Sequence, residues 1–317
     1  MENNFKNIIM KYKALLGFLV LCVVMAILSP RFLSVANIKN VLTQVSVNAI
    51  IAIGMTFVIL TGGIDLSVGS TLAISGAVAA TLIKANCNIF VAIIAALVVG
   101  VIVGLVNGLF IAKGRIQAFI ATLATMTVFR GVTQVYTNGT PVSKLGESFG
   151  NIGNKELLGI PFPVIITIVV FLIAFYVLNE TRGGRYIYAL GGNEDSARLS
   201  GINTTKMKML VYIISGVTAA ISGVVVTSRI GSASAIAGTG YELDAIAAVV
   251  LGGTSLSGGE GSISGTIIGA LIIGVLNNGL NLLNVSPYYQ LIVKGLVILL
   301  AVMVDRKINK NKISKRG

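Results

Sequence analysis

Apolar and polar positions alternate on a coarse scale along this chain: a long apolar run, a short polar or basic gap, then another run. Ten runs can be marked, at roughly 13–29, 44–61, 66–83, 89–112, 117–137, 163–178, 209–228, 241–256, 263–283 and 288–304. A helix needs about 20 mostly apolar residues to cross a bilayer, so the expected fold is all-α. It is one polytopic domain over residues 1–317 with about ten transmembrane helices. The fifth and eighth runs are the most interrupted by polar or charged positions. The first, "KYKALLGFLVLCVVMAILSP", has the basic flank and apolar run of a signal sequence but no A-x-A-like cleavage site, and is expected to persist as a span.

Composition agrees with a bilayer as solvent. The chain is 55% hydrophobic and only 11% charged, where a soluble domain carries roughly a quarter charged residues. The net charge of +13 is spread through gaps between runs and the C-terminal tail, which indicates topology rather than nucleic-acid binding. With the N-terminus inside, sixteen Lys and Arg residues fall on the cytoplasmic side and six outside. That bias places both termini in the cytoplasm, with segment 179–208 and a mobile basic tail at 306–317 near anionic lipid. The loop 138–162 then lies outside, and its charges cancel. No histidine is present, and Cys22 and Cys87 form no CxxC pattern. Catalytic triads, histidine metal sites and a disulfide framework are therefore not expected. There is no G-x-x-x-x-G-K, so the chain carries no P-loop of its own.

Glycine recurs at four-residue spacing at Gly100, Gly104 and Gly108, and again at Gly265 and Gly269. One small face per helix permits close backbone approach in lipid. "TGGIDLSVGS" (61–70) also echoes "LGGTSLSGGEGS" (251–262), each between two apolar runs.

Four groups of residues stand out chemically. "GGNEDSARLSGINTTKMK" (191–208) encodes a short closed helix. Asn193 is an N-cap, Glu194 and Asp195 suit the first turn, Arg198 the last, and Gly201 a C′ position. Asn203 then caps the next span. Ala197, Leu199 and Ile202 offer a small apolar contact. Such a helix is unstable alone, so it is a solvated loop, an interfacial helix or, best fitting, a docking rod for a soluble partner. Asp65 with Ser67 can cap the third span or line a polar pathway. Glu242 and Asp244 open the eighth run on different helix faces, as N-terminal helix charges or as contacts for something docking outside. Asn277, Asn278 and Asn281 in the ninth run can bond between helices or bind hydroxyls of a passing solute. Arg130, inside the fifth, can snorkel, pair with Asp65 or serve a pathway.

"TGGIDLSVGS", "LGGNEDSARLSGI" and "AGTGYELDAIAAVVLGGTSLSGGEGSISGTIIGALIIGVLNNGLNLL" together resemble the permease subunits of bacterial ABC sugar importers, most closely those that import ribose. "SPYYQLIVKGLVILLAVMVD" extends the similarity, which covers about residues 30 to 305. The resemblance implies a multi-pass permease of the bacterial cell membrane, itself not an enzyme, working in a pair of permease subunits; a homodimer is the expected pair, since a closed two-fold is the commonest oligomer, with a two-permease heterodimer the alternative. A cytoplasmic ATPase would drive it with ATP and Mg, and an extracytoplasmic binding protein would deliver the sugar, D-ribose. It implies that 191–202 (Gly191, Gly192, Asn193, Glu194, Asp195, Ala197, Arg198, Leu199, Ser200, Gly201 and Ile202) is the ATPase-coupling helix. The competing class is an ion-coupled or facilitative transporter acting alone. Its titratable candidates within the spans are few: Asp65, Arg130 and Lys294.

Overall fold

Every apolar run becomes a helix in the computed structural model, which describes residues 13–313. They are α1 (Lys13–Leu28), α2 (Val35–Leu60), α3 (Val68–Lys84), α4 (Ile89–Ala112), α5 (Ala118–Tyr136), α7 (Phe162–Glu180), α10 (Thr204–Ile230), α11 (Tyr241–Leu251), α12 (Ile263–Leu282) and α13 (Pro287–Ile313). Between them lie α6 (Glu147–Asn154), α8 (Arg182–Gly192) and α9 (Glu194–Leu199). Two small antiparallel pairs complete the order: β1 (Val142–Ser143) with β4 (Ser232–Ala233), and β2 (Glu156–Leu157) with β3 (Ile160–Pro161).

Polar residues in the gaps set the helix starts. The side chains of Ser34, Asn88, Asn203 and Ser262 each accept a backbone N–H from the first turn of α2, α4, α10 and α12. The Ser34 cap explains why α2 begins nine residues before the apolar run at 44. Among the described residues, six helices are long and apolar enough to cross a membrane: α2, α4, α5, α7, α10 and α12. The eighth run does not yield a full span. Its helix α11 has 11 residues, about 16 Å at 1.5 Å per residue, against a hydrocarbon core of about 30 Å. The glycines that follow Leu251 end it early, with Gly253 at φ +91°. The last helix runs on into the basic tail to Ile313 instead of ending near Asp305, since no glycine or proline interrupts 306–313. Residues 1–12, with Lys6 and Lys11, and 314–317 lie outside the described residues.

Helix α2 sits at the centre, and Ala49 to Leu60 are buried on every side. Helix α10 packs on α2, α3 and α4. Its contact with α4 uses the predicted glycine face. A methyl group at Gly100 would strike the Gly216 carbonyl, one at Gly216 the Gly100 carbonyl, and one at Gly104 the Tyr212 carbonyl. Gly265 and Gly269 do the same for α12 against Gly252 and Ala248. The loop 138–162 is built rather than loose. The Ser228 hydroxyl at the end of α10 donates to the Phe149 carbonyl (2.6 Å) and accepts the Gly153 N–H (2.8 Å).

Candidate functional site

The basic segment 181–208 gathers one end of the molecule. Thr181 caps α8, whose buried residues Gly184, Ile187 and Leu190 form one stripe against the protein. Tyr188 donates its hydroxyl to the Gly261 carbonyl at 2.9 Å, and burial pushes its pKa above the ordinary tyrosine value. At the end of α8, Gly191 is wedged between the two echoing glycine loops. A methyl group there would meet the Leu60 carbonyl on one side and the Gly259 N–H on the other. Those two groups also bond each other, Gly259 N–H donating to the Leu60 carbonyl at 2.9 Å. The loops 61–67 and 252–262 therefore meet at one glycine of the basic segment.

Helix α9 forms as its sequence requires. The Asn193 side chain accepts the Ser196 N–H at 2.8 Å. Gly201 takes φ +85°, and its N–H and that of Ile202 bond the carbonyls of Arg198 and Ala197, the paired closure of a Schellman end. Asn203 accepts the Lys206 N–H, capping α10. The faces divide sharply: Ala197 is buried at 4% exposure, whereas Leu199 is 88% exposed. Glu194 reaches back to Lys208 at 2.6 Å, and Arg198 bonds Asp195 at 2.7 Å in the open. Beside α9 lies a cavity of about 690 Å³, lined by Gly62, Gly63, Arg115, Glu194, Arg198 and Lys208 among others.

Asp65 and Ser67 do not face that space. Asp65 is 1% exposed. Its Oδ1 accepts from the Ser67 N–H (3.0 Å) and hydroxyl (2.6 Å), and its Oδ2 from the Ser215 hydroxyl (2.7 Å). Asn107 donates to the Ser67 hydroxyl at 2.8 Å and accepts from Thr125 at 2.6 Å. This buried network ties the break between α2 and α3 to α4, α5 and α10. Asn107, Thr125 and Ser215 escape a sequence reading centred on charges, although a lone amide in the very apolar run of α4 is a detectable signal.

Arg130 does not pair with Asp65. Its Nη1 donates to the carbonyls of Ala235 (2.6 Å) and Ala237 (2.7 Å), pinning the loop before α11. The two acids of α11 diverge, as their spacing requires. Glu242 accepts the Gly240 N–H and lies near Arg130, with its other oxygen buried. Asp244 is 4% exposed and bonds Lys294 of α13 at 3.0 Å. Asp244 lies in the first turn of α11 with its carboxylate held by Lys294, which fits the helix-charge alternative of the two.

The three asparagines of α12 separate as well. Asn278 exchanges two hydrogen bonds with Asn37, at 2.9 and 3.0 Å, linking α12 to the start of α2. Asn277 and Asn281 instead line a cavity of about 440 Å³ toward the end opposite α9, walled by α2, α10, α11, α12 and α13. Gln44, Asn48 and Gln290 join them there.

Comparison with known proteins bears on this arrangement. The family model described as branched-chain amino acid transport system / permease component matches residues 37–302. The ribose import permease protein of Escherichia coli strain K12 is 58% identical over 303 residues, covering 94% of each chain. That of Bacillus subtilis strain 168 is 56% identical, over 96% of this chain and 95% of the relative. That of Haemophilus influenzae is 51% identical, over 98% of both.

Proposed function

The chain belongs to the family of branched-chain amino acid transport system permease components, and from that premise we propose that it is the permease subunit of an ATP-driven ribose importer of a bacterial cell membrane. It does no chemistry itself; a separate ATP-binding subunit hydrolyses ATP with Mg, and an extracytoplasmic sugar-binding protein delivers ribose. The observation that carries the reading is α9, seen alongside relatives that are ribose import permeases. It is a helix of six residues, closed at both ends, seated on its own protein through Ala197 and presenting Leu199 and Arg198 outward. That is the form of a rigid knob meant for a partner's groove. In this reading the end bearing α9 is cytoplasmic, and residues 191–202 are the coupling segment. Gly191 passes movement of the ATPase to both glycine loops. Two copies of the chain form the pathway. The solute route runs by Asn277 and Asn281, while Asp65, Ser67, Arg130 and Asn278 frame the helices through the bonds they already make. Glu242 holds the outer loop near Arg130 and supports the surface on which the binding protein docks.

The test is uptake of labelled ribose into vesicles that contain this chain, its ATPase and its binding protein, with and without ATP. Uptake is expected only with all three proteins and ATP. Uptake of another pentose but not ribose keeps the mechanism and changes the substrate. Ribose uptake by this chain alone, collapsing with an ionophore or indifferent to ATP, refutes the importer.

A further inference from the structure

We propose that the hairpin of β2 and β3 is a membrane anchor whose apolar tip sits among the lipids of the leaflet opposite α9. The hairpin is built inside out. Glu156 pairs across the strands with Pro161, and Leu157 with Ile160. Successive side chains on a strand take opposite sides, so one side carries Glu156 and Pro161 and the other Leu157 and Ile160. The side holding the charge is turned to the protein: Glu156 bonds Lys39 of α2 at 2.6 Å, and Pro161 is buried. The apolar side is turned away, with Leu157 53% and Ile160 45% exposed. A strand pair facing water has the reverse arrangement, apolar in and polar out.

The turn points the same way. Leu158 and Gly159 take φ +53° and +81°, the two positive values of a type I′ turn. Such a turn favours Asn or Asp at its first central position, because a short polar side chain eases the left-handed backbone. Here that position holds a leucine, and it is 96% exposed. A bulky apolar side chain thus stands at a strained, open position where a polar residue would serve the turn better. Contact with hydrocarbon accounts for it.

The occupant follows from where the hairpin is attached. Pro161 leads directly into α7, which is long and apolar enough to cross a membrane and leaves Ile168, Val169, Leu172 and Ile173 exposed. The 19 residues of α7 span about 28 Å, close to the hydrocarbon thickness of about 30 Å. Phe162 therefore lies at the edge of the hydrocarbon. The tip is three residues before it, at most about 10 Å away, and the polar layer of a leaflet is about 5–8 Å deep. The lipid-facing surface of α7 thus continues onto Leu157, Leu158 and Ile160. The inference rests on α7 crossing the bilayer and not on ribose or ATP.

The experiment uses the full chain in lipid nanodiscs, in a background where Cys22 and Cys87 are replaced by alanine. Leu157→Cys carries a small environment-sensitive fluorophore. Lipids bearing a nitroxide near the headgroup are expected to quench most of its emission, and iodide in the buffer little. Adding Leu158→Asn and Ile160→Thr suits the turn and the strand but removes the apolar tip. Lipid quenching is then expected to fall several-fold and iodide quenching to rise, with the thermal midpoint in detergent not lowered. Strong iodide quenching of the first variant, with little from lipid, overturns the anchor whether or not the second variant folds. Lipid quenching that survives the added replacements also overturns it, since α7 alone would then hold the label near the membrane. A label open to iodide until the extracytoplasmic sugar-binding protein is added overturns it in favour of a protein-docking hairpin.

Discussion

At the scale of single residues, neighbours of identical type have opposite duties. Gly191 and Gly192 are adjacent, yet a methyl group at the first collides with the Leu60 backbone and at the second meets nothing within 4 Å. Forcing a methyl into a filled space costs about 1–3 kcal/mol. Gly191→Ala is therefore expected to lower the thermal midpoint of the purified permease by several degrees and to depress ATP-driven uptake. Gly192→Ala should leave both near wild type. Equal behaviour of the two variants in a melting assay would show that the wedge between the glycine loops carries no strain. The asparagines follow the same logic. Asn277 and Asn278 are consecutive, so they point about 100° apart on the helix. One reaches Asn37 and the other a cavity.

At the scale of an element, α9 is a case in which local signals and tertiary placement agree. Asn193, Gly201 and Asn203 alone account for where it starts, stops and hands over to α10. What they do not set is which side faces outward. Packing against α8 and α10 buries Ala197 and leaves Leu199 bare. Burying a leucine is worth about 1.5–3 kcal/mol, or roughly ten- to a hundredfold in affinity. Leu199→Asp is accordingly expected to reduce ATPase co-purification by at least about tenfold. The cost to the permease itself should be small, about 0.3–1 kcal/mol from the helix dipole. Undiminished co-purification, with normal uptake, would place the docking site elsewhere. Removing Glu194 is a less clean test, since its carboxylate already holds Lys208.

For the whole molecule, apolar residues remain exposed along α1, α4, α5, α7 and α13, including Val20, Ile94, Val128, Leu172 and Leu296. Those faces suit lipid or another copy of the chain. A closed two-fold pair is the commonest oligomer, and a pathway shared between two copies needs one. Native mass measurement of the assembled importer is expected to show two permease chains of 33.0 kDa each. One copy, or one copy with a different permease, would reject the homodimer.

The sequence by itself determined the solvent, the positions of the apolar helices, the glycine faces and the capped helix 194–199. Each of these depends on a residue and its neighbours within a few turns: apolar length, i to i+4 spacing, or a cap three residues away. The family resemblance was legible for the same reason, since its motifs are contiguous. Only the tertiary structure decided the fate of the polar residues inside the spans. An amide or carboxylate in an apolar setting must find a partner, and the available partners lie far along the chain. Ser215 is 150 residues from Asp65, and Asn37 is 241 from Asn278. No local pattern encodes those meetings. The shortening of α11 shows both influences: Gly252, Gly253, Thr254 and Ser255 break the apolar run after Leu251, and the close packing of Gly252 against Gly265 fixes the turn there.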